Sequence, residues 1–367
     1  MLKPYDLPFL PISFDAETEL AFYKLVVEAS VVVERLMQKL NYSPVNQSFM
    51  RLVTLRESVQ STKIEGSQVT FNDMLEDQIA EEDEWEKIEV RNYYHAIELG
   101  AERIKNGYPL TERLIRELHQ VLMEDARDST GAAGEYRRTQ NFIGPTKHMK
   151  DATYIPPEPQ KVDKYMQNLE LYINGNPYEN EKKDPIDPLI KAAIIHAQFE
   201  SIHPFLDGNG RLGRILIVLY LLQEKIIHVP VFFLSEELEK ERFKYYSLLN
   251  GVRAIKGRQA DWKSWIEFFL QATIRMAKNQ YNKLDEAEKL YNYGRKKLEQ
   301  PSLQKIWFSL FTHPVTTVND LKNITDLSPS TIRKGLKTLE DKQLIFGNDF
   351  KRNRRFYQYD LIRIMTE

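Results

Sequence analysis

The residues best equipped for chemistry form one continuous stretch, residues 203–214, which reads His-Pro-Phe-Leu-Asp-Gly-Asn-Gly-Arg-Leu-Gly-Arg. It holds a histidine suited to proton transfer, a carboxylate suited to a metal ion, three glycines and two arginines. Glycines allow backbone N–H groups to turn toward an anion, and a helix that starts there adds partial positive charge. Paired guanidinium groups bind phosphate oxygens. The stretch therefore predicts a site that holds a nucleoside triphosphate beside a base.

The neighbouring segments place this loop between two helices. Pro204 cannot continue a helical hydrogen-bond ladder, so the apolar helix before it must end there. The next helix is predicted over residues 212–224, which sets the glycines directly before a helix N-terminus. Arg211 and Arg214 are three residues apart, so both can reach one side of that helix. Two guanidinium groups in this place suit two or three phosphates better than one.

Two further residues complete the predicted chemistry. Asp207 adjoins the glycines, where a bound phosphate would need Mg²⁺ to offset its charge. His203 lies just upstream, where it can take a proton from an incoming hydroxyl. Each residue alone is more often structural, and only their combination favours a reaction. The stretch lacks the Gly-Lys-Ser/Thr of a Walker A loop, and His196 and His203 lack the four-residue spacing of a helical zinc site.

Residues 203–214 resemble the signature of Fic-domain proteins, His-Pro-Phe-x-Asp/Glu-Gly-Asn-Gly-Arg-x-x-Arg, with every fixed position present. The resemblance implies a mostly helical fold and transfer of AMP from ATP to a Tyr, Thr or Ser hydroxyl of a protein target or of the chain itself. It implies that His203 is the base for that hydroxyl and that Asp207 holds Mg²⁺. The residues implied to bind ATP are Gly208, Asn209, Gly210, Arg211, Leu212, Gly213, Arg214 and, on the nucleoside side, Tyr246.

A second motif, Ser-Thr-Lys-Ile-Glu-Gly at residues 61–66, resembles the inhibitory helix of the same family, Ser/Thr-x-x-x-Glu-Gly/Asn. Ser61 and Glu65 are four residues apart and share a helix face, and Gly66 suits the end of that helix. The resemblance implies that Glu65 pairs with Arg214 and takes the guanidinium that the γ-phosphate needs. ATP would then bind with its α-phosphate misaligned, so the chain would restrain itself in cis. The alternative is an ordinary helix end.

Residues 141–147 and 151–157 predict a short β-hairpin that turns at residues 148–150. These segments resemble the flap that lies over the Fic site. There an exposed edge would align a target by strand addition and bring its hydroxyl to His203. The alternative is a hairpin that serves only the fold. The residues given this docking role are Ile143, Gly144, Tyr154 and Ile155.

Helical periodicity dominates the rest of the chain and predicts a mainly α protein. A proline-rich arm over residues 1–12 is expected to dock on the body. We expect a helical region with the inhibitory motif over residues 1–110, a Fic catalytic domain over 111–295 and a small domain over 296–367. The predicted helices of the first two parts cover residues 17–40, 51–64, 86–106, 111–122, 160–173, 185–200, 212–224, 236–249 and 262–297.

The C-terminal part differs in charge from the rest. Residues 301–367 carry eleven Lys/Arg and seven Asp/Glu, a net of +4, which leaves −6 for the other 300 residues. A helix over residues 318–325, a second capped by Ser328, and two apolar segments around the basic turn 351–354 resemble a winged helix-turn-helix domain. DNA binding is the resulting hypothesis. The alternative is a packing or dimer module, so a homodimer stays open, because fold alone does not give function.

The composition excludes several classes of protein. The chain of 367 residues has no cysteine, which rules out disulfides, thiolate metal sites, iron–sulfur clusters and cysteine nucleophiles. Residues 1–14 lack the pattern of a signal peptide, and the longest apolar run, 215–222, is far shorter than the ~20 residues that span a bilayer. We therefore expect a cytoplasmic protein without a membrane partner. The acidic run 76–89 predicts a solvated loop, with an interaction surface as the alternative.

The sequence thus predicts a Mg²⁺- and ATP-dependent protein adenylyltransferase that Glu65 autoinhibits in cis. Two alternatives stay open. In the first, a deAMPylase, water attacks an AMP–protein bond at the same loop while Glu65 is in place. In the second, a DNA-binding regulator, the Fic body only senses nucleotide, although the intact His203 argues against it.

Overall fold

The part of the chain that the structure describes folds mainly into helices, with one small sheet near its C-terminus, in agreement with the mainly α prediction. The structure is a computed structural model, and it describes residues 3–77, 84–126, 132–144, 146, 148–175, 186–254, 259–350 and 353–367. Parts of five predicted features lie outside the described residues. They are 1–2 of the arm, 78–83 of the acidic run, 145 and 147 of the hairpin, 185 of the helix over 185–200, and 351–352 of the basic turn.

The helices run the whole length of the described chain. In order they are α1 Ala16–Tyr42, α2 Asn46–Ile64, α3 Phe71–Asp77, α4 Trp85–Lys105, α5 Glu112–Leu122, α6 Val162–Asn174, α7 Pro188–Ile202, α8 Asn209–Gln223, α9 Ser235–Lys240, α10 Arg242–Val252, α11 Trp262–Lys297, α12 Pro301–Thr312, α13 Val318–Thr325, α14 Pro329–Asp341 and α15 Tyr359–Thr366. Short 3₁₀ turns cover Met149–Asp151 and Pro159–Lys161. The strands are β1 Val315–Thr316, β2 Phe346–Gly347 and β3 Phe356–Tyr357.

The centre of the fold is the pair α7 and α8, which pack against each other. Almost every residue of both helices is buried, so other helices must surround the pair. α4 and α5 cover α8, while α6, α10 and α11 cover α7. Where α4 crosses α8, a Cβ added to Gly100 would fall 2.5 Å from the Leu219 side chain, so only glycine fits. This core fixes the end of α7 and the start of α8, between which the reactive loop lies.

The N-terminal arm docks on α6, as the sequence predicts. The Leu7 N–H donates to the Tyr165 hydroxyl at 2.9 Å, and the Leu10 N–H donates to Asn168 Oδ1 at 2.8 Å. α1 then packs along α11, and α2 packs on α4, α9 and α12. α2 contains most of the predicted inhibitory motif, and Gly66 follows its end with a φ of +110°, a value that favours glycine.

The C-terminal residues form helices and a three-stranded antiparallel sheet in the order β1-β3-β2. Ser328 caps α14 by accepting a hydrogen bond from the Thr331 N–H, and α14 buries Ile332, Leu336 and Leu339. α13, α14, β2 and β3 lie where the sequence predicts helices and extended segments, whereas α12, β1 and α15 were not predicted. The boundary at residue 296, the winged-helix assignment and DNA binding stay predictions. In the described ranges, no helix is both long and apolar enough to cross a membrane.

Several elements differ from their predictions. α2 begins at Asn46 rather than residue 51, and α3 was not predicted. α8 begins at Asn209 rather than residue 212, because Gly208 takes a φ of +75° and serves as the N-cap. The predicted helix 236–249 is two helices, α9 and α10, separated at Glu241. Within the described residues, the predicted hairpin is reduced to one β-bridge between Ile143 and Tyr154. Prolines at 156 and 157 offer no N–H groups, so the ladder cannot continue there.

Candidate active site

The loop between α7 and α8 is held in shape by its own side chains. Asn209 Oδ1 accepts from the Phe205 N–H and Nδ2 donates to the Phe205 carbonyl, both at 2.9 Å. The Phe205 ring stacks on His119 with ring centres 3.8 Å apart, and His119 Nε2 lies 3.0 Å from the Asp207 carbonyl oxygen. This frame turns the N-terminus of α8 toward the loop, as an anion site requires. His119 was not predicted, because Phe205 and Asp207, which it contacts, lie more than eighty positions away along the chain.

Arg137, which was not predicted either, holds the loop from the other side. Its Nε donates to the His203 carbonyl at 2.9 Å and its backbone N–H donates to the Pro204 carbonyl at 2.9 Å. Nη2 donates to the Pro157 carbonyl next to the flap. Burial lowers the pKa of Arg137 to about 10, so the group stays charged at neutral pH. Arg137 therefore ties the loop to the flap through backbone carbonyls, whatever side chains those positions carry.

His203 caps α7 in the left-handed conformation, with a φ of +49°, which turns its side chain away from the helix. Its Nδ1 is buried without a hydrogen bond of good geometry, although the Glu200 carbonyl lies near enough to favour the protonated ring. Burial lowers the pKa of His203 to about 3, and the guanidinium groups of Arg253 and Arg137 lower it further. The imidazole is therefore neutral at physiological pH and able to accept a proton.

The predicted inhibitory residues meet the last arginine of the loop. Arg214 Nη2 lies 2.7 Å from Glu65 Oε1, Nε donates to Ser61 Oγ at 2.7 Å, and Nη2 also donates to the Ser61 carbonyl at 3.0 Å. Burial opposes the charged form of Glu65, but the guanidinium outweighs it and holds the carboxyl pKa below its usual value. The same carboxylate raises the pKa of Arg214 against the effect of burial. Both groups of the pair are therefore charged, and the Arg214 guanidinium is occupied by Glu65.

Glu65 also lies against the first turn of α8, where the sequence predicts an anion site. A Cβ added to Gly210, on the first turn of α8, would collide with Glu65 Oε1 and would lie 3.1 Å from Arg214 Nη1. The carboxylate thus sits against the backbone of Gly210. Leu212 and Gly213, the other residues predicted to bind ATP, are buried behind this turn.

Arg211 and Asp207 form a second charged group at the loop. Arg211 is buried, with Nη1 3.5 Å from Glu89 and Nη2 3.4 Å from Asp207 Oδ2. Half of the Asp207 side chain is exposed, so one carboxylate faces the loop surface. Among the described residues, no three His, Cys, Asp or Glu side chains cluster as a metal site. A single carboxylate still fits Mg²⁺, which takes most ligands from phosphates and water.

The predicted nucleoside wall lies beside Glu65. Tyr246 is partly buried, its ring centre is 5.0 Å from that of Tyr245, and burial with the nearby Glu65 charge raises its pKa to about 12. Behind it, His196 joins the Tyr245 hydroxyl at 3.0 Å to the Gly213 carbonyl at 3.0 Å. Since the carbonyl can only accept, His196 Nδ1 must donate and Nε2 accept from tyrosine. This buried chain fixes α8 against α10.

The four predicted flap residues differ in burial. The Tyr154 side chain is fully buried, its hydroxyl donates to the Ser201 carbonyl at 2.7 Å, and Arg253 stacks on its ring at 4.3 Å. Ile155 is also buried, so any docking at these two residues would use their backbone, and that role stays a prediction. Ile143 is half-buried and Gly144 is exposed, and their docking role stays a prediction. Tyr154 therefore holds the flap on α7 through its ring packing and its hydroxyl.

The sequence and fold are similar to those of known proteins. Residues 109–221 match the Fic/DOC family and residues 23–102 match the Fic/DOC family N-terminal region. A probable protein adenylyltransferase of Aquifex aeolicus is 26% identical over 60% of this chain and 64% of that protein. The protein adenylyltransferase Fic of Drosophila melanogaster is 29% identical over 45% of this chain and 28% of that protein. The chain thus spans less than two thirds of either relative.

Two solved structures share the fold. A Fic family protein from Desulfovibrio desulfuricans aligns over 97% of this chain and 98% of its own, with a TM-score of 0.57 and 21% identity. A Fic domain containing signaling protein from Bacteroides thetaiotaomicron aligns over 70% of this chain and 97% of its own, with a TM-score of 0.57 and 20% identity. Together with the loop geometry, these similarities show that the chain is a Fic-domain protein of the Fic/DOC family.

Proposed function

We propose that this site transfers AMP from ATP to a Tyr, Thr or Ser hydroxyl of a protein. The observation that supports it most directly is the short loop that joins His203, the C-cap of α7, to the N-terminus of α8, where Arg211 and Arg214 are buried. The named relatives are protein adenylyltransferases, which agrees with this assignment. The target is a protein hydroxyl, on another chain or on this one.

The reaction follows from these groups. A ring nitrogen of His203 takes the proton of the target hydroxyl, and the oxygen attacks the α-phosphorus of ATP. The bond from that phosphorus to the bridging oxygen breaks, and pyrophosphate leaves. The α8 N-terminus and Gly208–Gly210 hold the phosphates, and Arg211 and Arg214 offset the charge that develops on the leaving group. Mg²⁺ on Asp207 would offset charge on the phosphate oxygens.

We further propose that Glu65 inhibits this transfer in cis. Its carboxylate pairs with Arg214 and lies against Gly210. An incoming γ-phosphate would therefore find the Arg214 guanidinium already occupied and would be repelled by the negative charge of Glu65. Catalysis of this kind depends on placing the reacting atoms in line, and a displaced triphosphate loses that alignment. Release of Glu65 frees the guanidinium and the glycine backbone together.

The proposed transfer is tested by the origin of the label. The full chain with Glu65→Gly is incubated with Mg²⁺ and ATP labelled at either the α- or the γ-phosphate, followed by mass spectrometry of the product. AMP transfer requires label from the α-phosphate only and a mass increase of one AMP on a Tyr, Thr or Ser. Label from the γ-phosphate would identify phosphorylation and overturn the proposal.

A second candidate, removal of AMP, is favoured by one observation. With Glu65 in place, 39% of its side chain is exposed and its charge acts on His203, so the carboxylate can orient a water beside the base. Water would then attack the phosphorus of an AMP–protein bond and release AMP. A target labelled beforehand should lose label faster with the unchanged chain than with Glu65→Gly. Equal rates would rule out this role for Glu65.

DNA binding and a homodimer stay predictions. Arg333, Lys334 and Lys337 of α14 are exposed, as the winged-helix hypothesis expects. In contrast, Arg354 and Arg355 near the basic turn are already paired with Glu340 and Glu76. A mobility-shift assay with DNA would compare the unchanged chain with an Arg333→Ala/Lys334→Ala variant. DNA binding requires a shift with the unchanged chain and a weaker shift with the variant. The absence of a shift with both proteins would contradict the hypothesis.

A further inference from the structure

We propose that residues 301–367, the C-terminal unit, hold the inhibitory helix α2 in the position that brings Glu65 to Arg214. The proposal rests on the proposed function, since it assigns how the inhibited state of that site is maintained. It follows from contacts that fasten the chain to the C-terminal unit on both sides of the inhibitory motif, before Ser61 and after Gly66.

The first half of α2 is attached to the end of α12. Ser48 Oγ and Thr312 Oγ1 lie 2.6 Å apart, and Arg51 Nη1 lies 3.1 Å from His313 Nε2. Ser48 and Thr312 are linked across 264 positions of sequence, and helix packing between α2 and α12 accompanies the bonds. These contacts fix the start of the helix whose other end carries Glu65.

The middle of α2 is attached to the last helix of the chain. Arg56 is buried; its Nη2 donates to the Thr366 carbonyl at 3.0 Å, and its Nε donates to Glu236 of α9 at 3.0 Å. Lys283 of α11 donates to the neighbouring Met365 carbonyl at 3.3 Å. The end of α15 is therefore wedged between α2 and the body, and Arg56 joins the three parts.

The chain that follows the inhibitory motif is attached as well. Glu76 on α3, ten residues after Gly66, pairs with Arg355 at 2.7 Å and lies 3.5 Å from the Tyr357 hydroxyl. Tyr357 belongs to β3, the central strand of the C-terminal sheet, and Arg355 directly precedes that strand. Any displacement of that sheet therefore acts on the segment just past Glu65, while displacement of α12 or α15 acts on the segment before it.

The opposite face of α2 is anchored to the Fic body. Glu57, Ser61 and Glu65 are spaced by four residues and lie on one face. Glu57 accepts from the Tyr93 hydroxyl at 3.0 Å and from the backbone N–H of Ser235 at 3.3 Å. α2 is thus held between two surfaces, so a C-terminal unit that moves away removes one of them. A partner that binds this unit would thereby raise the population of the released state.

The Glu76–Arg355 pair offers the sharpest variant, because it is half-exposed and its loss should leave the core intact. We predict that Arg355→Glu in the full chain raises labelling from α-labelled ATP by about fivefold or more, the low end of common coupling between sites. Glu76→Arg added to Arg355→Glu should restore the low level. Arg354→Ala is the matched control, because Arg354 pairs with Glu340 inside the C-terminal unit.

Hydrogen exchange of α2 amides gives a readout without catalysis, and Glu65→Gly serves as the parallel test of activity. The proposal requires faster exchange near residues 58–65 in Arg355→Glu, slow exchange in the double variant and slow exchange in Arg354→Ala. If Glu65→Gly labels but Arg355→Glu matches the unchanged chain in both assays, the hold on α2 is refuted and AMP transfer stands. If exchange follows the prediction but not even Glu65→Gly becomes labelled, the hold on α2 stands and AMP transfer to the chain itself is refuted.

Discussion

Replacing Glu65 by glutamine should tighten ATP binding, because the change removes one negative charge from the anion site and keeps the side chain's shape. The carboxylate lies 2.7 Å from Arg214 and against Gly210, so a bound triphosphate must come close to it. One unit charge at about 5 Å costs about 3 kcal/mol at an effective dielectric constant of about 20.

Solvent reduces this repulsion, since 39% of the Glu65 side chain is exposed. About half of it, about 1.4 kcal/mol, corresponds to a tenfold change in affinity. Isothermal titration with ATP and Mg²⁺ should therefore give a dissociation constant about tenfold lower for Glu65→Gln, with a smaller gain at high salt. Glu102→Gln, an exposed site on α4, is the control for net charge. Equal or weaker binding by Glu65→Gln would refute the placement of Glu65 in the phosphate site.

Three further predictions follow from burial and backbone geometry. Burial raises the pKa of Glu200 from 4.5 to about 7, a difference worth about 3 kcal/mol, so its charge destabilises the fold as pH rises through that range. Glu200→Gln should therefore raise Tm clearly at pH 8 and far less at pH 5; equal shifts would contradict this cause. Burial lowers the pKa of His203 to about 3, so the base is lost only near that pH. The labelling rate of Glu65→Gly should then change less than about twofold between pH 8 and pH 6, whereas a fall centred near 6.5 would indicate an ordinary imidazole. Gly208→Ala should lower the free energy of unfolding, measured in urea, by about 1–3 kcal/mol, because alanine is strained at a φ of +75°. A steric clash should lower it further, since the added Cβ would lie 2.9 Å from a methionine sulfur. Gly107 has a similar φ but no neighbouring atom within 4 Å of an added Cβ, so Gly107→Ala should lower the free energy of unfolding by less. Equal losses for the two variants would exclude the clash at Gly208.

Features set by neighbouring residues, such as helix bounds and caps, could be predicted from the sequence. Helix α11 has the predicted bounds because its periodicity is long and Asp261 caps it, and α13 begins where Thr317 forms a capping box. The reactive loop could be predicted because its chemistry lies within twelve consecutive residues. The start of α8 was misplaced, because the φ of Gly208 depends on bonds that Asn209 makes inside the loop.

Contacts between distant segments could not be read from spacing. Glu65 and Arg214 are 149 positions apart, and only a family resemblance connected them before the structure showed the ion pair. His119 and Arg137 had no local signal, since both act through backbone carbonyls of other segments. The burial of the Tyr154 side chain could not be predicted, because exposed and buried aromatic residues look alike in a short extended segment.

The most direct test of the central claim compares three full-length proteins in one assay with Mg²⁺ and ATP labelled at the α-phosphate. They are the unchanged chain, Glu65→Gly, and Glu65→Gly combined with His203→Ala. AMP transfer by His203 under restraint by Glu65 requires little label in the first, strong label in the second and none in the third. Label that persists without His203, or that is equally strong in the unchanged chain and Glu65→Gly, would contradict it.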